Sequence, residues 1–471
     1  MRHGGACGDL TMAETHSPGT DDTAIPVTCL FEGDLAGWRD AAPALDAGLA
    51  ASAEFRARTG QAVIVPGPDG RPARVVLGLG ASPGDVTAFR ILAGRLPAGT
   101  YRLAGAPGGL DPTDAALAFA LGLYRFERYR KRESAPPRLV VPGADEAEAD
   151  SLAAACALAK DLVNTPANDL GPAELEAAAR DLAGRFGATV EVTAGEDLLA
   201  RGYPAVHAVG RAAAPGREPR MIEVTWGQSG HPVLALVGKG VVFDTGGLDL
   251  KPSAGMRLMK KDMGGAAHVL ALGAMVMQAA LPVRLSILIP AVENAVGGAA
   301  MRPGDVLATR KGLTVEVGNT DAEGRLILAD ALTRASELEP DLTLDLATLT
   351  GAARVALGPQ LPPFFTDDEA LAAAIEAGAR RAFDPVWRLP LWKGYLPSLD
   401  SEIADLKNDP DAWAQAGAMT AALFLQKFAP AGAWAHLDIF AWNPRGQPGS
   451  PAGGEAQAIR GLYAMLKARY A

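Results

Sequence analysis

Residues 237–265 read VGKGVVFDTGGLDLKPSAGMRLMKKDMGG, and this stretch constrains the fold more than any other in the chain. An apolar run, Val233–Val237, leads in, and a helix-like run, Ala266–Ala280, leads out. Between them stand Lys239, Asp244, Lys251, Lys260, Lys261 and Asp262, interleaved with glycines at 238, 240, 246, 247, 255, 264 and 265. Charges set between a buried strand and a buried helix are costly unless they pair or bind metal. Chemistry is expected here first.

A second charged cluster, Asn319-Thr-Asp-Ala-Glu-Gly-Arg, follows an expected strand at Leu313–Val317 and precedes an expected helix at Leu326–Leu338. Both clusters then lie beyond the carboxyl ends of strands, where open α/β sheets place ligands. Lys239, Asp244, Asp262, Asp321 and Glu323 are five donors able to converge there. Three Asp and a Glu sharing a cleft resist joint ionisation. Divalent cations remove that penalty, and carboxylates suit Mn²⁺, Mg²⁺ or Zn²⁺. None of the six histidines falls in either charged core, which disfavours a His-based zinc site, and His268 reads as a packed or partly exposed helix residue. Taken singly, each carboxylate is equally a cap or turn former; Asp262 before Met-Gly-Gly suits an N-cap.

The rest of the chain alternates strands and helices. Over 25–142 the expected strands are Val27–Phe31, Ala62–Val65, Arg74–Leu79, Tyr101–Ala104 and Leu139–Val141, with helices at Ala41–Arg58, Thr87–Leu96 and Pro112–Arg130. This pattern predicts a smaller N-terminal α/β domain. An Ala-rich helix within 143–165 links it to a larger domain, 166–471. There, strands at Thr189–Val192, Met221–Thr225, Val233–Val237, Arg284–Ile289, Leu313–Val317 and Leu342–Leu346 alternate with helices, which predicts a parallel or mixed sheet covered on both faces. Residues 1–24 read as a flexible tail, with Met1 or Met12 as the start. The basic run Arg128–Arg132 is either a solvated helix end or an interaction surface.

Net charge is −10, which argues against nucleic acid or an anionic membrane as the main partner. Three widely spaced cysteines make no disulfide framework and suit a reducing cytoplasm. No apolar run long enough for a membrane span is interrupted by neither Gly, Pro nor charge.

The segments VGKGVVFDTGG, LKPSAGM, KKDMGGAA and NTDAEGRLILADAL resemble the leucyl aminopeptidase (cytosol aminopeptidase) family of metallopeptidases. The likeness runs from about Leu162 to Gly351 and more loosely through Ala404-Asp-Leu-Lys-Asn, residues 418–425 and His436-Leu-Asp-Ile. It implies a metal-dependent hydrolase in which Lys239, Asp244, Asp262, Asp321 and Glu323 hold two divalent ions. Lys251 then stabilises the oxyanion, and Arg325 holds a bicarbonate that relays the proton from water to the leaving amine. Lys239 as a ligand must be the neutral amine, against an ordinary pKa of about 10.4. Met259, Thr348, Leu349 and Gly351 match positions near the first side-chain pocket and imply a broad preference for Leu- or Met-like residues at a free N-terminus. A cytoplasmic homo-hexamer is implied as well.

Departures from the family pattern are Thr245 where Ser is commoner, the Leu248-Asp-Leu segment ahead of Lys251, and the Pro/Gly-rich loop 443–454. Asp249 is either solvated or tunes Lys251; the loop is either ordered or a mobile lid. Two competing readings, a nucleic-acid-binding or regulatory protein and another two-metal hydrolase such as a phosphatase, are disfavoured by the acidic balance and by the lysine ligand.

Overall fold

The computed structural model describes residues 23–81, 85–105, 109–410 and 415–471, so all but the last two residues of the expected tail lie outside the described residues. A five-stranded sheet organises the N-terminal part in the order Ala62–Pro66, Pro72–Gly80, Ile25–Phe31, Thr100–Leu103, Arg138–Val140. The first pair is antiparallel and the others are parallel.

Two helices there differ from expectation. The helix expected over 41–58 is confined to Ala44–Ser52 and is separated by Pro43 from an earlier helix, Leu35–Ala41, because the residue before a proline is driven to extended backbone, as Ala42 is at ψ 150°. The helix starting at Pro112, capped by Asp111, ends at Gly122 rather than Arg130. Beyond it the Tyr124 hydroxyl donates to Asp161 Oδ1 at 2.7 Å and accepts from Asn164 Nδ2 at 3.0 Å, which draws the chain off the helix axis. Arg128–Arg132 is therefore no helix end. It is a loop in which Tyr129 bonds Asp169 and Arg132 pairs with Glu127 at 3.0 Å.

The larger domain is built on a nine-stranded mixed sheet. Eight of its strands run in the order Trp387–Arg388, Pro363–Phe365, Ala433–Asp438, Leu342–Ala347, Val233–Gly238, Arg284–Asn294, Arg220–Trp226, Thr189–Ala194. Helices Glu146–Asn164, Pro172–Phe186, Gly264–Gln278, Glu369–Arg381 and Ile459–Tyr470 bury one face. Pro204–Gly210, Glu323–Ser336 and Gly417–Gln426 bury the other. Strand Leu342–Ala347 shows the alternation behind this: Leu342, Leu344 and Leu346 enter the first core and Ala347 the second.

Two strand assignments change. The eleven-residue strand Arg284–Asn294 is long enough to pair in parallel with two strands in succession, Val233–Gly238 and then Gly240–Asp244. Asp244 thus ends a strand of its own. The expected strand at 313–317 is not part of the large sheet: Thr314–Glu316 pairs with Val306–Ala308 and Leu406–Lys407. The turn at Gly312, φ 85°, folds it back on its neighbour and satisfies its backbone locally.

Loop 443–454 is a hairpin, Trp442–Asn443 against Gly453–Gly454, docked on the N-terminal domain. Arg90 donates to Gly449 O at 2.9 Å and reaches Glu455 at 3.5 Å, and Glu455 pairs with Lys160 at 2.9 Å. Among the described residues, Cys29 and Cys156 are free thiols, and no helix is long and apolar enough to cross a membrane.

Candidate active site

Lys239 sits at the break between the two short strands, where its N–H donates to Leu346 O at 3.1 Å and its C=O accepts from Ala266 N at 2.8 Å. The N-terminus of helix Gly264–Gln278 is thereby laid against the strand ends. Only glycine fits at 265, since a Cβ would lie 2.1 Å from Leu346 O. That contact brings Asp262, on the turn Met259–Met263, to face Asp244. The first turn of helix Glu323–Ser336 supplies Glu323 and Arg325.

Oxygens of Asp244, Asp262 and Glu323 lie within 4.8 Å of one another, all buried. Lys239 Nζ stands 2.8 Å from Asp262 Oδ2, 2.9 Å from Glu323 Oε1 and 3.2 Å from Thr348 O. Lys251 Nζ bridges Asp244 Oδ2, at 2.8 Å, and Asp321 Oδ1. The five donors expected from the sequence are thus in one cleft, with Lys251 among them.

The electrostatics are those of excess negative charge out of water. Burial, with the Asp244 carboxylate adding to it, pushes Glu323 up to about 8 and Asp321 up to about 6. Burial also opposes the charge on Lys239 and Lys251, but the surrounding carboxylates outweigh it and hold both lysines above the usual range. Asp262 is depressed because Lys239 and Lys261 outweigh its burial. Lys261, buried against the Phe440 ring at 5.0 Å, is driven down to about 8 by burial.

The donor set fits divalent cations. Asp262 Oδ2, Asp321 Oδ1 and both Glu323 carboxylate oxygens are buried without a well-aligned hydrogen bond, and Lys239 and Lys251 pair with all four carboxylates. Arg325 fits a small anion: its Nη1 donates to Asn408 O at 2.5 Å, while its Nε–H is buried without a partner. Burial lowers its pKa from the ordinary arginine value.

Of the four expected pocket residues, Thr348 does more than line a wall. Its hydroxyl bonds Asp262 Oδ1 at 2.8 Å and Asp262 O at 3.0 Å. Leu349 is half-buried with its N–H on Asp438 Oδ1 at 3.0 Å, Met259 is half-buried, and Gly351 is exposed with open space where a side chain would stand. His268 is fully buried, its Nδ1 on Gly264 O at 2.6 Å and its Nε2 accepting from Gln457 N at 3.0 Å. It takes no part in the cluster.

Three residues to which the sequence assigned no role organise the site. Asn294 Nδ2 donates to Asp244 Oδ1 at 2.8 Å and to Thr320 O at 3.1 Å. Asn408 holds the second loop, accepting from Gly318 N at 2.8 Å and donating to Asn319 O at 2.7 Å. Thr320 is the third. A polar residue ending the apolar run Arg284–Asn294 was a visible signal for Asn294; Asn408 lies in the loosely matching Ala404-Asp-Leu-Lys-Asn segment.

Comparison with known proteins places the chain in a family. The family described as "Cytosol aminopeptidase family, catalytic domain" matches residues 157–463, and "M17 aminopeptidase, N-terminal domain" matches residues 25–142. The probable cytosol aminopeptidase of Syntrophotalea carbinolica is 44% identical over 390 residues, covering 78% of this chain and 77% of the relative. That of Nocardia farcinica is 40% identical over 430 residues, 86% of this chain and 84% of the relative. The crystal structure of cytosol aminopeptidase from Coxiella burnetii superposes with a TM-score of 0.91 at 44% identity, over 96% of this chain and 99% of that one. The bottromycin maturation enzyme BotP in complex with Mn gives 0.85 at 38% identity, over 95% and 99%.

Proposed function

The chain belongs to the cytosol aminopeptidase family of metal-dependent peptide hydrolases, and on that premise we propose that it removes single residues from the free N-termini of peptides. The observation that carries this reading is the cluster of buried carboxylate oxygens without aligned donors, flanked by two lysines. Lys239, Asp244, Asp262, Asp321 and Glu323 are proposed to hold two divalent ions, Mn²⁺ or Zn²⁺, with Mg²⁺ as a third choice. When bound, the ions supply Lewis acidity toward the scissile carbonyl and the attacking water, and bicarbonate supplies a proton carrier.

The chain's own residues do the rest. As a ligand, Lys239 would serve as the neutral amine, its proton passed to solvent, since nearby dications would offset the carboxylate field that raises it. Lys251, held between Asp244 and Asp321, would keep its proton and stabilise the oxyanion as it develops. Arg325 offers its unpartnered Nε–H to the carrier anion. The Thr348 hydroxyl orients the Asp262 carboxylate, a bond to the ligand of the kind that tunes metal sites. Met259, Leu349 and Gly351 are proposed to form a wall for Leu- or Met-like side chains; such pockets discriminate weakly between methylenes, so broad specificity follows. A homo-hexamer in the cytoplasm is part of the same reading.

Hydrolysis of leucine p-nitroanilide with added Mn²⁺, beside its N-acetylated form, tests the proposal. Metal-dependent cleavage of the free-amine substrate alone is expected, and Asp321→Ala should abolish it and bind fewer than two ions. Equal cleavage of the blocked substrate, or full activity in Asp321→Ala, overturns it.

A further inference from the structure

Two loops that meet at the cleft are locked together by a pair of residues 71 positions apart. Asp249 lies two residues ahead of Lys251, and Thr320 immediately ahead of Asp321. Their bonding is reciprocal: the Asp249 N–H donates to Thr320 Oγ1 at 2.8 Å, and the Thr320 N–H donates to Asp249 Oδ2 at 2.7 Å. The Thr320 hydroxyl donates to Gly246 O at 2.6 Å, with Asp249 Oδ2 at 3.2 Å as its alternative acceptor. Its carbonyl accepts from Asn294 Nδ2, the same nitrogen that donates to Asp244 Oδ1. Every polar atom of this fully buried threonine is therefore engaged with the first loop and the strand beside it.

The approach is close enough to dictate the neighbouring residues. Gly246 and Gly247 have φ of 88° and 66°, and a Cβ at 247 would lie 2.9 Å from Thr320 Oγ1. Asp249 itself is exposed, so its charge stays hydrated while the carboxylate strengthens its bond to the Thr320 N–H beyond what a neutral acceptor gives. Each loop carries groups that must be registered against the other: Asp244 and Lys251 on one, Asp321 and Glu323 on the other. The Lys251–Asp321 ion pair spans the two loops, but Asp321 and Glu323 also face the like-charged Asp244, which works against a fixed register.

We propose that Asp249 is a positioning residue for the metal centre: by clasping Thr320 it fixes Asp321 and Lys251 relative to Asp244 before any ion binds. The inference rests on the two-metal reading above, and it gives a role to an acidic residue that is neither ligand nor proton carrier. Loss of an outer-shell partner of this kind weakens metal binding or activity by roughly 10–100-fold.

The test compares the full-length chain with Asp249→Ala and Asp249→Asn, stripped with chelator. Mn²⁺ binding is followed by calorimetry, kcat and KM are measured on leucine p-nitroanilide, and amide hydrogen exchange is read across residues 319–323 without metal. In Asp249→Ala, Mn²⁺ affinity is expected to fall roughly 10–100-fold, with two ions still bound at saturation and most of kcat recovered there. Amides 319–323 should exchange faster in the metal-free protein. Asp249→Asn, which keeps an acceptor for the Thr320 N–H, should fall between the two. Parental Mn²⁺ affinity and exchange in Asp249→Ala would overturn the proposal, and so would saturation at one ion, which would make Asp249 a ligand. If the parent chain binds no Mn²⁺, the two-metal reading fails instead, and the exchange comparison still decides the clasp.

Discussion

Replacing Gly324 by alanine sets two effects of opposite sign against each other. Gly324 lies in the first turn of helix Glu323–Ser336, where Gly→Ala ordinarily stabilises by about 1 kcal/mol. Here, however, the new Cβ would lie 2.6 Å from Lys239 Cε, 2.7 Å from its Nζ and 2.9 Å from its Cδ. Ordinary carbon contacts are about 3.5–4.0 Å, so the lysine must retreat by about 1 Å. It has nowhere to go: the residue is 3% exposed and its ammonium is held by Asp262, Glu323 and Thr348 O. Overpacking of this kind costs about 1–3 kcal/mol, which equals or exceeds the helix gain. The functional effect is larger, because a displacement of about 1 Å in a reacting constellation costs about 100-fold, or about 2.7 kcal/mol of barrier.

The expected result is a chain no more stable than the parent, with weakened Mn²⁺ binding and a kcat/KM down about 100-fold on leucine p-nitroanilide. Gly184→Ala in helix Pro172–Phe186, where a Cβ meets nothing within 4 Å, is the control and should gain stability with activity unchanged. Urea unfolding, Mn²⁺ titration and steady-state kinetics on all three proteins decide the matter. A Gly324→Ala protein with parental Mn²⁺ affinity and kcat/KM would refute the claim that Lys239 is wedged between Gly324 and the carboxylates for a purpose.

Acid stability should depend on His268. Burial lowers its pKa from 6.5 to about 4, so the fold needs it neutral. Its contribution is intact above about pH 6.5 and is lost as pH falls toward 4, about 3 kcal/mol in all. Urea unfolding at pH 7 and 4.5 should show a smaller drop for His268→Gln, and an identical drop in both proteins would contradict the assignment. Removing Glu455 should unfold the domain junction: the Lys160 side chain is 2% exposed, and stripping a buried ammonium of its partner costs about 3–5 kcal/mol. Thermal unfolding of Glu455→Ala would then shift down by several degrees; an unchanged Tm would mean that Lys160 finds water instead.

The gathering of charged groups in one cleft was legible because it is written locally. Carboxylates and lysines crowded among glycines between apolar runs have few physical outlets, and a spacing read along two short segments names the groups involved. The alternation of strand and helix was legible for the same reason, since hydrophobic period is a property of neighbours. Less visible were the breaks in that pattern. Pro43 was there to be read, but the end of the helix at Gly122 depends on Tyr124 reaching Asp161 and Asn164, on another helix. Nor does any local signal tell Thr314–Glu316 that it joins a small separate sheet, or Asp244 that it ends a strand alongside the far half of Arg284–Asn294.

Asn294, Thr320 and Asn408 show the division most clearly. Their side chains matter through partners 26 to 90 residues away, and their own neighbours in the chain say nothing of it. By itself, then, the sequence determined which charges need a cleft and which elements flank it. Only the tertiary structure decided how two carboxylate-bearing loops are held at a fixed separation, because that depends on hydrogen bonds and an ion pair between segments that meet only once the sheet has folded.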